Sequence, residues 1–144
     1  MEIIDTKGFT VIGIKVQAKW DDLHEKMPKV WQEFRKRLEE VSERKNDIMM
    51  DISLDESDGV YTQLIGVEVE GDTEIPDGMT KIIIPSQKYV YYEHEGDVSK
   101  IAESFGKMYD WAEQQNIDVG DFKIDVGYRR DSSDRAHELY VKVV

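Results

Sequence analysis

Lys88-Tyr89-Val90-Tyr91-Tyr92-Glu93-His94-Glu95-Gly96-Asp97-Val98-Ser99-Lys100-Ile101 is the stretch in which the chain changes hydrophobic period, and its reading decides the fold class. Lys88 to Glu95 reads as a strand. Gly96 interrupts it and Asp97 is placed as an N-cap. From there Val98, Ile101, Ala102, Phe105, Met108, Tyr109 and Ala112 mark one face of a helix. Thr80 to Ile84 reads as a short strand ahead of this unit, and Phe122 to Tyr128 and Glu138 to Val144 read as two strands that close it. The C-terminal half is therefore β-α-β-β with one added strand in front.

The N-terminal half carries the same order of elements. Phe9 to Ala18 is β-branched and partly alternating, a strand pattern. Met27, Val30, Trp31, Phe34, Leu38 and Val41 recur at spacings of three and four, which predicts a helix with Pro28 in its first turn. Ile48 to Leu54 and Val60 to Val69 follow as strands, joined by the polar turn Asp55-Glu56-Ser57-Asp58-Gly59. A loop holding Gly71, Pro76 and Gly78 leads into the second half. Two β-α-β-β modules in tandem predict an α+β domain over residues 1–144, with a mostly antiparallel sheet and two main helices. The halves share a pattern of elements and little residue identity, so the duplication is read from topology.

A chain of 144 residues is long enough to bury roughly two thirds of its unfolded surface in one core. It contains no cysteine, which excludes disulfides, thiol nucleophiles and thiolate metal sites and suits a cytoplasmic protein. The N-terminus has no secretory pattern, and the longest aliphatic run is Ile82-Ile83-Ile84, so no membrane association is expected. The formal net charge is −12. A surface so acidic opposes the counterion release that drives binding to nucleic acid, so direct DNA contact is not expected. The same field draws in organic cations, although solubility alone also accounts for an acidic surface.

Rings and acids are the candidate binding groups. Trp20, Trp31, Tyr89, Tyr91, Tyr92, Tyr109, Trp111 and Tyr140 are many large rings for a small domain, and a concave site for flat ligands needs rings that stack. Trp31 and Phe34 stand in packing positions on their helix. Trp111 lies off the centre of its helical stripe, so that it either lines a groove or caps the sheet edge. On the last strand, period two sets Glu138, Tyr140 and Lys142 on one face and Leu139, Val141 and Val143 on the core face. Glu138 thus sits beside a tyrosine, the arrangement a cationic aromatic ligand requires, with Asp125 and Lys123 facing it if the last two strands form a hairpin. The competing reading is a solvated face on which Lys123 pairs with Glu138. His24, His94 and His137 fall in separate elements with no metal-ligand spacing. Residues 55–59 do not fit a calcium loop, and no phosphate loop or nucleophile elbow is found. No metal and no cofactor is expected.

Three stretches together resemble the GyrI-like family, the effector-binding domain of bacterial transcription activators. They are Met27-Pro28-Lys29-Val30-Trp31-Gln32-Glu33-Phe34, then Ile84-Pro85 with Lys88 through Ile101 and on to Tyr109 and Trp111, and finally Glu138-Leu139-Tyr140-Val141. The resemblance covers essentially the whole chain. It implies paired β-α-β-β modules around a pseudo-twofold axis, with a groove between them for diverse small molecules, often cationic and aromatic. Glu138 and Tyr140 correspond to its pocket acid and ring, with Trp31, Trp111, Tyr109 and Tyr91 as further wall candidates. It implies a stand-alone member, since 144 residues leave no room for a helix-turn-helix.

This chain departs from the family where Phe-Glu-x-Tyr is usual. It reads Phe122-Lys123-Ile124-Asp125 there, so Asp125 is the expected substitute acid, and Lys142 stands where proline is frequent. Three functions remain open on this reading. The leading one is sensing or sequestration of a small amphipathic molecule. The second is hydrolysis of cyclopropanoid DNA-alkylating antibiotics, for which a carboxylate orients water; a lysine beside that carboxylate favours binding over turnover. The third is modulation of a protein partner, for which the sequence offers no motif.

Overall fold

The computed structural model of the protein describes residues 1–131 and 136–144. Its strands are β1 (Glu2–Thr6), β2 (Phe9–Lys19), β3 (Arg44–Ser57), β4 (Val60–Val69), β5 (Thr80–Ile84), β6 (Gln87–Glu95), β7 (Val119–Tyr128) and β8 (Ala136–Val143). The helices are α1 (Trp20–Arg37) and α2 (Ile101–Gln114). All eight strands form one antiparallel sheet in the order β1-β6-β8-β7-β3-β4-β2-β5. That order reads as two β-α-β-β modules joined where β3 pairs with β7, and a pseudo-twofold axis at this seam exchanges them.

Both helices lie on one face of the sheet. α1 covers Ile12, Ile14, Met49, Ile65 and Val67 with Phe34 and Leu38. α2 covers Val90, Leu139 and Val141 with Ile101, Met108 and Ala112. The other face carries no helix, yet Val11, Met50, Ile52, Leu64, Tyr89 and Ile124 are buried there in a third cluster. The sheet therefore shields its own second face by curling over it. This is why β2, buried on both sides from Val11 to Ile14, alternates so weakly.

The curl has a local cause. Gly13 and Gly66 are Cα partners on β2 and β4. A Cβ at Gly13 would lie 2.0 Å from the Ile65 carbonyl oxygen, and one at Gly66 would lie 2.7 Å from the Ile12 carbonyl oxygen. No side chain fits between backbones that close. The edges are tied as well, because the short strands are exchanged: β1 precedes β2 but pairs with β6, while β5 precedes β6 but pairs with β2. Where the two connections pass, Ser86 Oγ donates to the Thr6 carbonyl at 2.8 Å.

Several boundaries differ from the sequence reading. α1 begins at Trp20, so Pro28 is an interior residue of the helix and not part of its first turn. Proline there forfeits a backbone bond. The added turns are held by Leu23, buried against Val16 and Ala18, and by Asp21 and Asp22 at the positive end of the helix dipole. β1 was not foreseen, because its pairing comes entirely from β6, some eighty residues away. Asp97 does cap, accepting from the Ser99 amide at 2.9 Å. It caps a short 3₁₀ turn, Val98–Lys100, that leads into α2.

Gly13→Ala is expected to lower stability by roughly 1 to 3 kcal/mol or more, since the added methyl meets backbone that no rotamer change can move. Denaturant unfolding measures this, and a variant as stable as the wild type would show that β2 and β4 do not approach as described.

Candidate functional site

The curled face encloses a cavity of about 180 Å³ lined by Thr6, Phe9, Met50, Glu68, Tyr89, Ile124, Val126, Glu138 and Tyr140. It is a hollow of apolar side chains and rings holding two carboxylates. Register sets this lining, because Ile124 pairs with Tyr140 and Val126 with Glu138 and directly paired residues share a face, and Tyr91 stands beside it opposite Tyr140. At this size the hollow takes the apolar part of a small ligand.

Glu138 is held by two phenols. Its Oε1 accepts from the Tyr91 hydroxyl at 3.4 Å and its Oε2 from the Tyr140 hydroxyl at 3.2 Å. Among the described residues no ammonium or guanidinium pairs with it. Glu93 lies directly opposite on β6 and adds negative charge. Glu68, by contrast, is paired with the Lys45 ammonium at 3.4 Å. Burial, and then the charge of Glu138, raise the phenols of Tyr140 and Tyr91 above their ordinary value, so both remain donors. Tyr140 also stacks edge-on to Tyr89, with centroids 5.5 Å apart.

The residues singled out in the sequence fall on two faces. Glu138, Tyr140 and Tyr91 come together at the hollow. Asp125 does not join them: it pairs with Leu139 on the helix-covered face, where it is buried and accepts from His137 Nδ1 at 2.6 Å and the Tyr128 hydroxyl at 2.5 Å. It therefore does not replace the family's second acid in this cavity. Lys123 is on that face too, so neither the expected Lys123–Glu138 pair nor a weakening of Glu138 by a lysine arises. Its ammonium sits 5.8 Å from the Phe105 ring and 5.9 Å from the Tyr109 ring. Trp111 and Tyr109 are both partly buried and pack against the α2 core, and Tyr109 donates to the Gly120 carbonyl at 2.9 Å. Trp31 is tilted against Tyr128 at 4.4 Å.

Sequence reasoning missed Glu68 and Asp51. Both had a signal, since each is an acid inside an apolar strand run, Val67-Glu68-Val69 and Met50-Asp51-Ile52. Asp51 faces Asp125 across the seam and accepts from Gln63 Nε2 at 2.9 Å. Burial first, and then the charge of Asp125, push its carboxyl up to about 7, against the opposing effects of Gln63 and Lys123.

A one-sheet α+β architecture with helices on one face and an acid- and ring-lined hollow on the other is the arrangement that the resemblance to GyrI-like effector-binding domains leads one to expect. The chain belongs to the Cass2 family of integron-associated effector-binding proteins, whose profile matches residues 2–143. It is similar to the transcriptional regulator BrlR of Pseudomonas aeruginosa, being 27% identical over 110 residues that make up 74% of this chain and 39% of the regulator. The chain thus spans about two fifths of the curated relative it matches. Among solved structures, SAV2435 bound to tetraphenylphosphonium superposes with a TM-score of 0.77 at 17% identity, covering 99% of this chain and 93% of that one. An integron cassette protein from the mobile metagenome of Vibrio cholerae gives a TM-score of 0.68 at 17% identity, covering 99% and 95%. At such identities the likeness is one of fold.

The raised Asp51 carboxyl has a consequence for stability. Between its ordinary value of 3.8 and about 7 the native protein keeps a proton that the unfolded chain has released, so stability falls as pH rises through that window and then levels off. Asp51→Asn should therefore raise stability at pH 8 by about 1 to 3 kcal/mol, the desolvation scale of one buried polar group. The gain should shrink toward pH 5. Thermal unfolding across pH measures this, and a gain independent of pH would contradict the assignment.

Proposed function

We propose that the protein binds small amphipathic cations carrying aromatic groups in the curled-face hollow, and that this binding serves sensing or sequestration. The observation that carries the reading is Glu138, an acid at the rim of an apolar cavity held by two phenols and, among the described residues, matched to no cation. An apolar hollow excludes water around the ligand, which strengthens attraction to the carboxylate, while Tyr89, Tyr91 and Tyr140 offer faces for cation–π contact. The neighbouring fold of SAV2435, solved with tetraphenylphosphonium, supports the choice of ligand class.

The charge of −12 argues against a phosphate backbone as partner. Among the described residues no helix is long and apolar enough to cross a membrane. A hydrolytic reading would use the same hollow, where Glu68 and Glu138 both lie. Glu68 is engaged by Lys45 and Glu138 by two phenols, so both carboxylates already have fixed partners, and binding without turnover is the expected behaviour.

Isothermal titration with tetraphenylphosphonium tests this. Glu138→Gln is expected to lose on the order of 1 to 3 kcal/mol of affinity, the scale of one partly desolvated charge contact. Equal affinities for wild type and variant would remove Glu138 from the site.

A further inference from the structure

The binding reading leaves one nucleophile unused. Lys123 lies on β7, paired with Ser53 of β3 and Val141 of β8, so its side chain is on the helix-covered face. There it lines an open groove of about 540 Å³ together with Trp20, Tyr61, Tyr109 and Asp121. No residue of this lining borders the Glu138 cavity.

The surroundings of this amine are apolar where it is held and open where a ligand would arrive. Its Nζ sits 5.8 Å from the centre of the Phe105 ring and 5.9 Å from that of Tyr109. Tyr109 presents its ring because its hydroxyl is given to the Gly120 carbonyl. Among the described residues Lys123 makes no ion pair. Asp125, on the same strand and face, is taken up by His137 and Tyr128. Burial outweighs the charges of Asp121 and Asp51, so the amine gives up its proton more readily than an ordinary lysine. A lysine desolvated against rings and free of a fixed carboxylate has the setting in which the neutral, nucleophilic amine becomes available.

We propose that Lys123 is a covalent capture site for uncharged aromatic aldehydes, which it holds as a reversible imine. The nitrogen lone pair adds to the carbonyl carbon, and a proton passes from nitrogen to oxygen to give a carbinolamine. Loss of that hydroxyl as water leaves a C=N bond between Lys123 and the ligand. No oxidant or reductant is consumed, and water reverses the step. The groove supplies the selectivity. Trp20, 55% exposed, and Tyr61, its neighbour at 5.3 Å, offer ring faces on which the aldehyde's ring can stack. Asp55, Glu56 and Asp121 in the same lining oppose an anionic aldehyde.

The test is to incubate the protein at pH 7 with pyridine-4-carbaldehyde, trap the imine with cyanoborohydride and locate the reduced adduct by peptide mass spectrometry. Lys123 should be modified about tenfold faster than exposed lysines such as Lys7 and Lys26. With acetaldehyde, which has no ring to stack, that preference should shrink. Trp20→Ala should slow the aromatic aldehyde at Lys123 and leave acetaldehyde unchanged, an outcome that a merely reactive amine would not produce. Lys123→Arg keeps a cation over the rings and should abolish the fast labelling while unfolding as the wild type does. Modification of Lys123 no faster than that of the exposed lysines, or equal preference for the two aldehydes, would overturn the proposal.

Discussion

The pairing of β3 with β7 is the constraint on which the rest depends. Each module alone would be a three-stranded sheet with one helix, ending in an open edge at β3 or β7. Joining them antiparallel, with Asp51 opposite Asp125 and Ile52 opposite Ile124, makes one sheet whose two faces receive different residues. Because side chains alternate along a strand, this one register sends both aspartates toward the helices and both isoleucines toward the curled face. The two carboxylates that meet at the seam account for the polar cluster there. Asp125 is satisfied by His137 and Tyr128, while Asp51 remains strained by burial.

The curled face follows from small residues and exchanged edges acting together. Gly13 and Gly66 let β2 and β4 approach without side chains between them, and the crossed connections at Thr6 and Ser86 hold the outer strands to opposite modules. A face that no helix covers is thereby shielded by the sheet itself. The shielding is incomplete where Glu68 and Glu138 border the hollow, since carboxylates cannot be packed as side chains of the core can. The hollow is thus a consequence of the fold, and Glu138 is the point at which that fold leaves a charge for something else to neutralise.

The modules, the order of their elements and the paired Glu138 and Tyr140 were legible because all three rest on local periodicity. Three things were not. The start of α1 was hidden by Pro28, whose usual place is a first turn, and it was displaced by the tertiary packing of Leu23. β1 is five residues long and exists through a partner distant in sequence. Whether Asp125 shares a face with Glu138 depended on the register of β7 against β8, and a shift of one residue reverses the answer. Register is set by packing across the whole sheet, so no reading of two strands alone reaches it.

The proposed function requires a bulky organic cation to bind on the curled face. A crystal structure of the protein grown with tetraphenylphosphonium should show its density in the curled-face hollow, with rings against Tyr89 and Tyr140 and the phosphonium beside the Glu138 carboxylate. Density confined to the helix-covered groove, or to the outer surface with the hollow unfilled, would contradict the assignment of Glu138 as the charge partner on which the proposed function rests.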